Sequence, residues 1–208
     1  MKLVDVLNSE LREEALRRWD IAKEVAKRVN GVIYGSIAAM MIEGIPRLPR
    51  DADIAVNWSL EEFLKHFKRF GEENWFEVEL VRQPPSIWKH GGPRYTLLLW
   101  EEDYRFFVNL ASEHTEPNKQ IDGVKLRFDR ADYLQQKKRK VMEGNPTILD
   151  LLDLLWCEGE ETWNFIDSLP ANVVEKVVKS WNKYIEFIPR ENQTIVDEIL
   201  RRLRLHQG

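Results

Sequence analysis

Two aspartates one residue apart, Asp51 and Asp53, are the side chains of this 208-residue chain best placed to do chemistry. They open the run Asp51-Ala52-Asp53-Ile54-Ala55-Val56, whose alternation reads as a β-strand with both carboxylates on one face. Carboxylates so arranged repel each other unless a cation stands between them. Hard divalent ions such as Mg2+ or Mn2+ suit these oxygens and leave other positions to phosphates and water. Upstream, the β-rich run Val32-Ile33-Tyr34 leads into Gly35-Ser36 at a predicted helix start. Backbone N–H groups and a hydroxyl at a helix N-terminus form a phosphate site. A metal site beside a phosphate site points to nucleotide chemistry. Asp-x-Asp alone is also an ordinary strand end, so the upstream turn carries much of this reading.

The surrounding elements must position these residues. Leu11, Ala15, Trp19, Ala22, Ala26 and Val29 recur at steps of three or four, which predicts a helix over 10–29 capped by Ser9 and ended by Asn30-Gly31. Ile37 to Glu43 is helical in character, and 44–50 is a loop with two prolines. A helix over 60–70 capped by Ser59, a strand over 76–81 and a loop over 83–93 follow. Residues 94–100 and 104–111 read as a hairpin, with a short strand over 124–128. From Asp129 onward the pattern is helical, over 131–142, 147–157, 160–168, 173–188 and 193–205. The chain thus divides into an α/β core over 1–128 and a C-terminal helical region over 129–208.

Composition narrows the classes. Apolar residues at 43% and charged residues at 32% describe a globular chain. A net charge of −4 disfavours clamping nucleic acid by bulk charge. The single cysteine, Cys157, fits a reducing, cytoplasmic compartment and reads as an apolar filler beside Trp156. The four histidines have no zinc-type spacing. No apolar run approaches the roughly 20 residues of a membrane span, and the N-terminus does not read as a signal peptide. The basic run Lys137-Lys138-Arg139-Lys140 reads as a solvated helix face, and Asp150 and Asp153 as helix-surface or cap partners.

Gly35-Ser36, a helix, Arg47 four residues before Asp51, and Asp51-Ala52-Asp53 together resemble the signature of the nucleotidyltransferase fold, the superfamily of DNA polymerase β. The Arg-x-x-x-Asp-x-Asp spacing is most similar to the AbiEii/MNT-type branch, often found in toxin–antitoxin pairs. Tyr133 to Lys137 and Leu149 to Leu154 look like that branch's lysine-bearing helix and Asp-rich helix. The resemblance implies an α+β fold with a mixed β-sheet flanked by helices and followed by a C-terminal helical region. It implies transfer of a nucleoside monophosphate from an NTP, ATP being the expected one, by a metal-ion mechanism. Asp51 and Asp53 would be the shared metal ligands. Gly35 and Ser36 would hold the β/γ-phosphates, and Arg47 and Lys137 would belong to the nucleotide site.

The chain departs from the pattern in two places. The third acid of the family belongs on a later strand, between Val108 and Leu110, and that residue is Asn109. An amide can ligate a metal but brings no charge and cannot act as a base. Glu113, four residues on, would replace it only if the strand bends. Pro49 stands where Thr or Ser is commoner in the motif. Two functions therefore stay open. One is transfer of an NMP to a hydroxyl on a protein, RNA or small molecule. The other is a catalytically degenerate module that binds a nucleotide or a partner protein.

Overall fold

The computed structural model describes residues 3–57, 62, 77–82, 94–101, 104–143 and 145–205. The expected helix over 60–70 and the loop over 83–93 lie outside the described residues. The chain forms two units. One comprises 16–42 and 49–128, the other 1–15, 43–48 and 129–208.

The first unit is built on a sheet. Its elements are helix α1 (Arg12–Val29), entering the unit at Leu16, then β1 (Val32–Tyr34), α2 (beginning at Gly35 and ending at Glu43), β2 (Asp51–Val56), β3 (Glu77–Arg82), β4 (Arg94–Glu101), β5 (Tyr104–Ser112), β6 (Lys119–Ile121) and β7 (Val124–Leu126). The seven strands lie in the order β3-β4-β5-β2-β1-β7-β6. The sheet is mixed: β2 runs parallel to β5 and β1 to β7, while the other neighbours are antiparallel. The expected hairpin of β4 and β5 is present.

Strand β6 goes beyond the sequence reading. Asp122 and Gly123 both take positive φ, at 51° and 77°, and so close a two-residue hairpin onto β7. Turns with two positive φ values match the twist of a hairpin, and Asp-Gly is among the pairs that adopt them most readily. Helix α1 buries Trp19, Ala22, Val25, Ala26 and Val29, in keeping with its apolar stripe. Asn30 ends it in the left-handed region, with φ of 47°.

The second unit holds α3 (Arg130–Glu143), α4 (Ile148–Glu158), α5 (Thr162–Asp167), α6 (Ala171–Ser180) and α7 (Arg190–Leu205). Leu151, Leu152, Val177, Val196, Ile199 and Leu203 are among the fully buried residues of its core. The sequence reading carried a single helix from 173 to 188. The structure instead ends α6 at Ser180 and continues in two short 3-10 turns, Trp181–Lys183 and Ile185–Phe187. Ser180 gives the local reason: its hydroxyl donates to the Val177 carbonyl at 3.0 Å and competes with the helical ladder.

The early segments join this unit by hydrogen bonds. The buried Asn192 side chain accepts from the Val4 N–H and donates to the Val4 and Pro46 carbonyls, each at 2.8 Å. Val6 donates to Ile45 at 2.8 Å and Leu48 to Phe187 at 2.7 Å.

Candidate active site

In the sheet unit, the pairing of β2 with β5 sets Asp51 opposite Phe107 and Asp53 opposite Asn109. Residues paired across neighbouring strands share a face, and every second residue along each strand returns to it. Burial bears this out. Ala52, Ile54, Phe106, Val108 and Leu110 are buried on one face, whereas Asp51, Asp53 and Asn109 are half-buried on the other and Phe107 is exposed.

Asn109 sits with its amide between the two carboxylates. Its Nδ2 donates to Asp53 Oδ1 at 3.1 Å and to Asp51 Oδ2 at 3.3 Å. The residue predicted to replace the third acid therefore does stand at the pair, and it presents the positive end of a dipole to two negative groups. Pairing of β2 with β5 is continuous from Asp51↔Phe107 to Val56↔Ser112, so β5 does not bend back. Glu113 follows the strand's far end, about 13 Å from Asn109 at the usual rise per residue, and does not take the third place by a strand bend.

The helix start is equally close. β1 pairs Tyr34 with Asp53, and the chain turns at Gly35 into α2. Gly35 has φ of +69°, and a Cβ there would lie 2.8 Å from Asp53 Oδ2. The dihedral favours glycine, and a larger residue would push the Asp53 carboxylate aside. Ser36, the next residue of α2, is buried. Gly35, Asp51, Asp53 and Asn109 thus come together on one sheet.

Arg18 is a supporting residue that the sequence reading passed over. Its buried guanidinium donates to the Pro49 carbonyl and lies over the Phe106 ring, 5.5 Å from the centroid. It fixes the backbone two residues before Asp51. The only sequence signal was a basic residue next to Trp19 on the apolar side of α1.

Arg47 and Lys137 come together inside the helical unit. Arg47 grips Asp153 with two parallel bonds, Nε to Oδ1 at 2.8 Å and Nη2 to Oδ2 at 2.7 Å. Tyr133 donates its hydroxyl to Asp153 Oδ2 at 2.7 Å. Lys137 Nζ lies 2.7 Å from Asp153 Oδ2 and 3.1 Å from Asp150 Oδ1. Lys140 reaches Asp150 at 2.8 Å, and Asp150 also accepts from the Thr147 N–H and hydroxyl, at 2.9 and 2.8 Å.

Asp150 is therefore the cap partner expected of it, but neither aspartate lies on a helix surface. Asp150 is 1% exposed and Asp153 fully buried. The reason is charge: Lys137 turns inward from the basic run, Lys140 reaches Asp150 from an exposed position, and Arg47 meets Asp153. Only partnered charges are buried in this way. Burial pushes the Asp153 carboxyl up, but the charges of Arg47 and then Lys137 outweigh it and hold the group below the ordinary carboxylate range. Asp150 is lowered in the same manner by Lys137 and Lys140 against its burial. Burial would lower Lys137, yet the Asp153 charge raises it. Tyr133 is raised by burial and by the neighbouring Asp153. Cys157 is half-buried beside this network and its thiol is pushed up to about 12, chiefly by burial, so it has no thiolate character near neutral pH.

No protein-family model and no curated protein matches the sequence. Solved structures do match the structure, two of them from one organism. One, a protein of Helicobacter pylori described as a candidate nucleotidyltransferase, aligns with a TM-score of 0.55 at 13% identity, over 93% of this chain and 95% of that one. The other, JHP933 from Helicobacter pylori, aligns with a TM-score of 0.50 at 13% identity, over 93% of this chain and 92% of that one. The chain has a nucleotidyltransferase-like fold. The mixed sheet flanked by helices and the C-terminal helical region expected from the sequence are both present.

The donor set at the carboxylates consists of hard oxygens. Among the described residues no group of three or more His, Cys, Asp or Glu side chains converges. Two carboxylates suit Mg2+, which takes one or two of them and completes its shell with water and phosphate. The Asn109 oxygen would join them only with the amide turned over from its present donation to both carboxylates. Among the described residues no helix is long and apolar enough to cross a membrane.

Proposed function

We propose that the protein is a nucleotidyltransferase that moves an NMP from an NTP, ATP in the first instance, to a hydroxyl acceptor on a protein, an RNA or a small molecule. One observation carries the reading: the start of α2 at Gly35 abuts Asp53 of the carboxylate pair. A phosphate-binding helix end and a cation-binding pair are side by side on one sheet. The N–H groups of Gly35 and Ser36 would take the β/γ-phosphates. Asp51 and Asp53 would hold Mg2+ or Mn2+, which when bound neutralises triphosphate charge and makes the α-phosphorus more electrophilic. Asn109 would turn its Oδ1 toward the cation and orient the pair, but it has no basicity to take the acceptor proton. General-base help is worth about 10²–10⁴-fold, so turnover is slow. Arg47 and Lys137, whose charges are met by Asp153 and Asp150, act in this reading on the helical unit's packing.

The finer placement in the AbiEii/MNT-type branch, and a partner protein as in a toxin–antitoxin pair, belong to the same proposal. Its support is that Arg47, Lys137 and Asp153, which come from three separate motifs of that branch, form one network. A second reading rests on Asn109 itself. An amide that already bridges both carboxylates suits a module that binds nucleotide without turnover.

Calorimetry of ATP with and without Mg2+ tests the site. Native protein should bind Mg2+–ATP more tightly than ATP alone, and Asp51→Asn with Asp53→Asn should erase that difference. Equal binding by the double variant places the site elsewhere. Metal-dependent binding with no transfer of label from ATP onto any acceptor selects the second reading.

A further inference from the structure

Resting on the reading of the carboxylates as a nucleotide site, we propose that Phe107 is the platform on which a nucleobase stacks at that site. Phe107 is paired with Asp51 across β2 and β5 and lies two residues from Asn109, so its ring shares the face that carries both carboxylates. It is 45% exposed, whereas Phe106 and Val108 on either side are fully buried. The strand's contribution to the core is thus made by its other face. Among the described residues Phe107, Met142 and Ile185 are the large apolar side chains left exposed, and Phe107 is the aromatic one, at the carboxylates.

Direction along the site supports a base in particular. The phosphate end is set by Gly35 on the β1 side of β2, and β5 borders β2 on the other side. The step from β1 to β5 is about 10 Å, two strand spacings. A nucleotide with its phosphates at the α2 start and its reacting phosphorus at the carboxylates brings a base to the β5 side. A phenyl ring offers a π-face and no hydrogen bond, so it accepts any base, with purines preferred for their larger overlap. The base belongs either to the donor nucleotide or to a nucleotide acceptor whose hydroxyl lies at Asn109. Stacking on Phe107 is common to both.

The experiment is calorimetric titration, at fixed Mg2+, of native protein and the Phe107→Ala, Phe107→Leu and Phe107→Trp variants with ATP and with inorganic triphosphate. Stacking is worth about 1–3 kcal/mol per base, so Phe107→Ala should weaken ATP by about fivefold or more. Triphosphate affinity should not change, Phe107→Trp should keep native affinity, and Phe107→Leu should behave like the alanine variant. If ATP is unaffected, the same variants are titrated with a single-stranded hexaribonucleotide in the presence of a non-hydrolysable ATP analogue. A loss there assigns the stacked base to the acceptor. Unchanged binding of both ligands overturns the proposal. So does equal weakening of inorganic triphosphate, which would mark a distorted site, or full affinity in Phe107→Leu, which would mark mere apolar contact. Failure of the underlying reading looks different: native protein binds neither ligand, or the Asp51→Asn, Asp53→Asn protein keeps metal-dependent binding.

Discussion

Replacing Asn109 by aspartate puts a third negative charge where an amide now bridges two. Asn109 Nδ2 is 3.1 Å from Asp53 Oδ1 and 3.3 Å from Asp51 Oδ2. With each charge spread over two oxygens, the carboxylate centres would stand about 4.5 Å apart. At an effective dielectric of about 20 that gives roughly 4 kcal/mol of repulsion for each of the two new pairs. Their sum exceeds the roughly 4 kcal/mol that keeps an ordinary carboxyl ionised at pH 7, so one carboxyl takes up a proton and the penalty stops near that value. For a chain of this size the loss corresponds to about 8–16 °C in Tm. The sign follows from the raised carboxyl pKa in the folded state. The penalty is absent below the ordinary carboxylate range, near pH 4, and grows as pH rises to 7. A divalent cation between the carboxylates removes it. Thermal unfolding of native and Asn109→Asp protein in EDTA and in Mg2+, at pH 4.5 and 7.5, is the assay. The variant should unfold well below native protein in EDTA at pH 7.5, close to it at pH 4.5, and recover in Mg2+ by more than native protein gains. An EDTA-treated variant that unfolds within about 2 °C of native at pH 7.5 refutes the reasoning, as does an equal Mg2+ gain in both proteins.

Other perturbations separate the site from its scaffold. Gly35→Ala should cost about 1–2 kcal/mol for its left-handed backbone alone and displace the Asp53 carboxylate, so both the denaturation midpoint and Mg2+–ATP affinity should fall. Asp153→Asn leaves the Arg47 and Lys137 charges short of a buried partner; about 3–5 kcal/mol should be lost in urea unfolding. Asp150 and Asp153 are both held below the ordinary carboxylate range, so their contribution is present above about pH 4 and is lost as pH falls through the folded-state values. Asp153→Asn should accordingly flatten the fall in stability between pH 5 and pH 2 followed by circular dichroism.

Much of this molecule is local, and the sequence by itself determined that part. Alternation in β2 placed Asp51 and Asp53 on one face because side-chain direction in a strand follows a period of two whatever the strand packs against. That Asn109 joins them was implied by the family resemblance alone and is set by the register of β5 on β2. Gly35 was legible for a similar reason, since a glycine between a strand and a helix marks a backbone conformation that other residues resist. The tertiary structure decided what depends on partners distant in sequence. Nothing local distinguishes Lys137 and Lys140 from their solvated neighbours, nor Asp150 and Asp153 from surface acids. Only the packing of α3 on α4, with Arg47 brought to the same point, shows that Arg47 and Lys137 neutralise the two aspartates in the core while Lys140 reaches Asp150 from the surface. The neighbourhood of β1 and β2 followed from the sequence, but the pairing of β2 with β5 did not, because β3 and β4 lie between them in the chain. Phe107 read as one more apolar residue of a strand; its exposure depends on which face of β5 the core covers, and that is settled by the whole sheet at once.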